Sequence, residues 1–359
     1  MSNSLLKLDI KELKLPKWLS FGAPANSGGG GMKAKYPPVA FEIGASRMSL
    51  ARLTAEKSQG ASLTSFDVID VPPDLIESDV FKLRIKSPQI FSELVTGALA
   101  KEGVKTGAIS LVLPDHLARV SLLPFEELPR TRRDVVELVK WKMRKAVPFK
   151  VEEAALDYQI LPSNGHKGFT LLTVLMPGSI IEEQESIFQA HGIHAGLIDL
   201  SSFSLVHLYR SIIEQEVPAG GDFMLLNMCP EFFAVLIFRA GHLIFYRCKT
   251  FAADVERRLE DDYRLARREI QGSLVYYQEK LDGKELSRIY TRVVGLEPSR
   301  VASLFEGVSV AAVPEVIDVQ RAVNISGRLL AMGPERAGEI LQRLAPAVGA
   351  ALGRNGREA

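Results

Sequence analysis

Residues 39–53, Val-Ala-Phe-Glu-Ile-Gly-Ala-Ser-Arg-Met-Ser-Leu-Ala-Arg-Leu, place an acid, Glu42, two positions before a turn of small residues, Gly44, Ala45 and Ser46. This pattern could grip a phosphate. Backbone N–H groups of a tight turn converge on anions, a glycine lets the backbone approach closely, and a neighbouring carboxylate can hold a hydrated divalent metal. Ser49 adds a polar group on the following strand. A second run of the same outline spans Asp222 to Phe238, with Asn227-Met-Cys-Pro-Glu-Phe-Phe at its turn, but its chemistry differs. Asn227 has no charge to offer a metal's water shell, Cys229 has a Cβ where a glycine would admit phosphate, and Pro230 lacks an N–H donor.

Few other residues could do chemistry. Cys229 and Cys248 lie on the two strands around the turn Arg239-Ala-Gly, but that register sets Cys229 nearer Phe251, so no disulfide is expected. Two cysteines without a histidine cluster make no zinc site, and both read as small core residues. Asp199, with His194 nearby, stands where a sugar-kinase relative places a base, although an acid before Ser201 is more simply a helix start. No Gly-x-Ser-x-Gly, His-Glu-x-x-His or P-loop pattern points to hydrolase or protease chemistry.

The elements that must position these residues fit a chain of 359 residues with 47% hydrophobic and 24% charged residues, enough for a two-lobed molecule. A net charge of +1 gives no general attraction to nucleic acid or membrane. No apolar run approaches bilayer length and no signal-peptide pattern opens the chain, which predicts a cytoplasmic location. Residues 1–36 form a leader: a mixed apolar and basic stretch with Trp18, fitting either helix or strand, then a tether at Gly28–Gly31. It reads either as a docking segment or as a disordered tail.

From Pro37 three strands run to about Asp70, followed by a helix near 87–102 and a strand at 108–113. Next come a helix near 132–147, strands at 155–161 and 169–177, and a helix near 179–191. The latter group reads as an inserted α+β subdomain. Apolar residues at 255, 259, 263, 266, 270, 274, 277 and 281 form a helical stripe expected to pack on its own lobe rather than in a coiled coil.

Three segments of the insert, Glu-Leu-Pro-Arg-Thr-Arg-Arg-Asp-Val-Val-Glu-Leu-Val-Lys-Trp (127–141), Val-Pro-Phe (147–149) and Leu-Asp-Tyr-Gln-Ile-Leu (156–161), resemble the signature of the PilM family of type IV pilus assembly. Arg-Glu-Ile-Gln-Gly-Ser-Leu-Val-Tyr-Tyr-Gln (268–278) and the Ala/Gly-rich 346–353 are similar to later family elements. The resemblance spans about 37–353. It implies an α/β, actin-like ATPase (ribonuclease H-like and FtsA-like) fold of two lobes with an inserted SHS2-like subdomain. The corresponding domains are 37–120 with 192–217, the insert 121–191, and a second lobe 218–353, with 354–359 a tail.

The family also implies ATP and Mg between the lobes. Glu42, Gly44, Ala45, Ser46 and Asn227 are then the cofactor-binding positions. Yet Glu42 stands for an expected Asp, Asn227-Met228-Cys229 for Asp-x-Gly, and Gly295 alone for a Gly pair. Arg292, just before it, reads as stacking on adenine or pairing with a surface carboxylate. Because phosphoryl transfer depends on positioning and electrostatics, these changes predict no useful ATPase activity and weak or absent nucleotide binding.

The implied partner is the cytoplasmic tail of a PilN-like inner-membrane protein, in a groove between the first lobe and the insert. Other pilus platform or motor proteins and a homo-oligomer are further candidates, with no nucleic acid and a peripheral place at the inner membrane's cytoplasmic face. Between Arg130 and Lys150 eight basic residues meet two acids, a local balance of +6. Val136, Val139, Met143 and Val147 are expected to be buried. Arg133, Lys140, Arg144 and Phe149 are the candidate partner-binding residues, on what is either a solvated basic face or a docking face. An active ATP-dependent switch remains the alternative, as does a type II secretion platform component, which would carry a membrane span after the second lobe.

Overall fold

The computed structural model describes residues 37–56, 60–104, 107–162, 168–251, 259–295, 298–306, 312–325 and 327–352. The leader, its tether and the tail at 354–359 lie outside them. Strands β1 (Val39–Ile43), β2 (Arg47–Glu56) and β3 (Gly60–Asp70) open the chain, followed by the small hairpin β4 (Ile76–Asp79) and β5 (Lys82–Ile85). Helix α1 (Pro88–Lys101) and β6 (Gly107–Leu113) complete the first passage. The insert contains β7 (Arg119–Phe125), α2 (Arg132–Met143), β8 (Ala154–Leu161), β9 (Phe169–Pro177) and α3 (Gly178–Gln189). Then come β10 (Ile193–Leu200), α4 (Ser201–Glu216), β11 (Asp222–Met228), β12 (Phe232–Arg239), β13 (His242–Thr250) and α5 (Leu259–Lys280). The chain closes with β14 (Leu286–Val293), α6 (Pro298–Ser303), β15 (Pro314–Val316), β16 (Asn324–Ile325), α7 (Gly327–Leu330) and α8 (Pro334–Leu352).

The two main sheets repeat one plan. The first has the order β10-β6-β1-β2-β3-β16 and the second β13-β12-β11-β14-β15. In each, three successive antiparallel strands are extended by parallel strands beside the first of them. Thus β1–β2 and β11–β12 are equivalent hairpins, and Glu42 and Asn227 each stand next to last on the leading strand. The near-continuous burial of β11 and β12 fits their largely apolar sequence, interrupted by Asn227, since both faces of this sheet are covered.

The insert forms its own antiparallel sheet, β7-β9-β8, with α2 on one face. Thr131 caps α2 by accepting from the Asp134 N–H at 3.1 Å. The buried stripe runs through Val135, Val139, Met143 and Val147, so Val135 replaces the expected Val136. The helix ends at Met143 and a turn carries Val147 inward, which a helical period could not foresee.

Helix α5 buries Tyr263, Ala266, Ile270, Leu274 and Tyr277 in the second lobe's core, as expected, while residues 252–258 lie outside the described residues. One boundary differs from the sequence reading. The stretch from β16 to α8, expected with the second lobe, returns to the first: β16 pairs with β3, and α8 packs on α4, β1, β2 and β6. Its small residues make this possible. A Cβ on Gly349 would lie 1.9 Å from the Ser204 carbonyl oxygen of α4.

Candidate interlobe site

The two equivalent hairpins bring their turns together across the cleft between the lobes. In the first, the Gly44 N–H donates to the Arg47 carbonyl at 2.9 Å, and a Cβ on Gly44 would come within 2.8 Å of that oxygen. The turn leaves the Ser46 N–H and hydroxyl facing outward. Both donate to Glu231 Oε1, at 3.3 and 3.0 Å. Glu231 comes from the second turn, where the Cys229 N–H donates to the Phe232 carbonyl and the Cys229 thiol to Glu231 Oε2 at 3.2 Å. A carboxylate therefore occupies both of these donors of the first turn.

Deeper in the cleft, Glu42 pairs across the hairpin with Ser49 and accepts from the Ser201 hydroxyl at 3.3 Å. Arg292 of β14 reaches it from the other lobe, Nη2 lying 3.7 Å from Glu42 Oε1. The same guanidinium donates to Asn227 Oδ1 at 3.1 Å and to the Gln342 carbonyl of α8 at 2.8 Å. With only 4% exposed, Arg292 neither lies open for an adenine nor pairs with a surface carboxylate; its partner carboxylate is in the cleft. Burial pushes the Glu42 carboxyl up to about 7, against the pull of Arg292 in the other direction. The Asn227 amide donates to both Ser201 and Ser202 hydroxyls at 3.1 Å, joining the second sheet to the start of α4.

The α4 N-terminus is held by an acid that sequence reading did not single out. Asp115 accepts from the Ser202 N–H at 2.9 Å and from the Tyr246 hydroxyl at 2.9 Å, and burial raises its carboxyl to about 6. Asp199 is wholly buried, accepting from the Leu200 N–H and the Ser204 hydroxyl, with His207 Nδ1 at 3.3 Å. Its role is in the fold, although Leu200 is the N-cap residue. His194 is exposed on β10. Cys229 and Cys248 are free thiols, raised by burial well above the usual thiol range.

These residues do not fit Mg-ATP. A dication beside Glu42 would meet the Arg292 guanidinium, and Asn227 brings no second negative charge. A phosphate at Ser46 would meet the Glu231 carboxylate. Among the described residues no group of three His, Cys, Asp or Glu could hold a metal ion. Gly295, with φ of 90°, follows β14 alone, and the positions just beyond it lie outside the described residues.

The partner-binding candidates differ in their surroundings. Arg133 is exposed. Lys140 donates to the Glu152 carbonyl at 3.1 Å and Arg144 to Glu152 Oε1 at 2.5 Å. Phe149 instead packs edge-on against Phe81 of the first lobe, ring centres 5.2 Å apart. Pairing of Arg132 with Asp157 and Lys150 with Glu153 further reduces the basic excess counted along the sequence. Trp141, 70% exposed on α2, is the large apolar side chain that charge counting overlooked.

No protein-family model matches the chain, and no curated protein matches it in sequence. Among solved structures, a chain of a PilM–PilN type IV pilus biogenesis complex superposes with a TM-score of 0.72 at 17% identity, covering 89% of this chain and 98% of that one. The chain has the actin-like ATPase fold. An actin-like-fold protein of unknown function from Bacteroides thetaiotaomicron gives a TM-score of 0.45 at 10% identity, covering 81% and 94%. The cytoplasmic domain of EpsL, an inner membrane component of the Vibrio cholerae type II secretion system, gives 0.44 at 9%, covering 85% and 94%. In this actin-like setting, the turn contact between Ser46 and Glu231 lies in the interlobe cleft. An acid within the second turn, Cys229-Pro230-Glu231, was the sequence signal for it.

Proposed function

We propose that this protein is a PilM-like cytoplasmic scaffold of a type IV pilus assembly platform, binding the cytoplasmic tail of a PilN-like membrane protein without hydrolysing ATP. One observation carries the reading: the segments resembling the PilM signature form a folded insert on a chain whose fold matches nearly the full length of a PilM–PilN complex chain. The interlobe cleft supports the absence of hydrolysis, because its anion donors and its acid are engaged by the protein's own side chains. Among the described residues no helix is long and apolar enough to cross a membrane; attachment at the inner membrane's cytoplasmic face is proposed to come through the partner. Arg133, Lys140, Arg144 and Phe149 are the residues proposed to flank the tail.

Fluorescence anisotropy with a labelled PilN-like tail tests the reading. Saturable binding that weakens on Arg133→Glu is expected, and no binding to the folded protein would reject it. Thermal stabilisation that rises with Mg-ATP would instead favour an active nucleotide switch.

A further inference from the structure

We propose that Glu231 and Arg292 are internal ligands of the cleft, the Glu231 carboxylate filling an oxyanion site on the Ser46 turn and the Arg292 guanidinium a cation site between Glu42 and Asn227. Two independent contacts carry this inference. At the cleft mouth, one carboxylate oxygen takes both donors of the first turn, and the other oxygen accepts from Cys229. In the interior, one guanidinium links the acid of the first hairpin, the amide at the equivalent position of the second, and the backbone of α8. An anion and a cation thus occupy the two places that a phosphate and its metal would take, with the same signs.

The physical consequence is intramolecular competition. A ligand on the same chain acts at high effective concentration, so a free oxyanion must displace Glu231 as well as overcome its negative charge. Removing the carboxylate should leave the Ser46 N–H and hydroxyl as an open oxyanion site. The Gly44 turn is closed by its own backbone hydrogen bond to Arg47, so this site keeps its shape when Glu231 is removed. Arg292 then adds a positive charge behind it. The inference deepens the scaffold reading and rests on its claim that nucleotide is not the cleft's occupant.

The test uses the full chain, with inorganic phosphate as the probe, and compares the wild type with Glu231→Ala and Glu231→Gln. Ser46 amide exchange should rise about tenfold in Glu231→Ala, a population change of one decade in opening. Phosphate should restore protection in that variant, saturably, and leave the wild type unchanged. Glu231→Gln, which keeps an acceptor but no charge, should lie between the two. Unchanged Ser46 exchange in Glu231→Ala, or phosphate binding equally to wild type and variant, would overturn the inference. Tail-peptide anisotropy on the wild type reads the scaffold proposal separately. Tail binding with unchanged Ser46 exchange rejects the internal ligand alone, whereas released Ser46 exchange without tail binding rejects the scaffold alone.

Discussion

Glu231 Oε1 lies 3.0 Å from the Ser46 hydroxyl, joining turns that are 185 residues apart in the chain but equivalent in the two sheets. Each turn ends the leading strand of its own sheet, so duplication of the sheet plan brings them opposite one another. What distinguishes this cleft is the chemistry placed there, an acid facing a donor turn.

Coupling between these residues should be measurable but small. A cycle of Ser46→Ala, Glu231→Ala and the double variant is expected to give an interaction of about 1 kcal/mol in urea unfolding, because the pair lies at the solvent-facing mouth of the cleft. An interaction near zero would mean that the contact adds no stability.

Arg292 lies deeper, and its loss should matter more. Arg292→Met would leave Glu42 with the Ser201 hydroxyl but no cation beside it, and Asn227 Oδ1 and the Gln342 carbonyl without the guanidinium donor, costing about 3 kcal/mol. At a pH high enough to ionise the raised Glu42 carboxyl, adding Glu42→Gln to that variant should recover part of the loss, since the buried charge is then removed. Equilibrium unfolding of the single and double variants checks both effects.

The raised Glu42 carboxyl fixes the sign of a pH effect. Its folded value of about 7 exceeds the ordinary 4.5, so the folded state binds the proton more tightly. Its contribution to stability is therefore present at low pH and is lost as pH rises from about 4.5 through 7. Relative to wild type, Glu42→Gln should gain in melting temperature across that interval and level off above it. A flat difference between pH 5 and 8 would contradict this.

Two glycines should tolerate no side chain. Gly349→Ala would set a Cβ 1.9 Å from the Ser204 carbonyl, forcing α8 away from α4, and Gly44→Ala would press on the Arg47 carbonyl at 2.8 Å. The first should cost more than 3 kcal/mol and the second about 1–3 kcal/mol. Thermal melts with circular dichroism measure the order.

On the insert, the two faces of α2 should respond oppositely. Met143→Ala removes a buried side chain and should cost about 2–4 kcal/mol, whereas Trp141→Ala should change stability by no more than about 0.5 kcal/mol. Reduced tail binding in Trp141→Ala, with stability intact, would place the tail on this face.

Local pattern alone located the hairpin at 39–53, the strand at 169–177, the α5 stripe and the free cysteines, because each follows from spacing within one or two elements. It also marked Glu42, Asn227 and Cys229 as departures from metal and phosphate chemistry, since a side chain's charge and bulk are properties of the residue itself. Tertiary structure decided who meets whom. The partnership of Ser46 with Glu231, the burial of Arg292 against Glu42, the capping of α4 by Asp115, and the return of α8 to the first lobe all join segments far apart in sequence. No periodicity encodes such contacts, because they are fixed only when two sheets and the helices between them pack at definite distances.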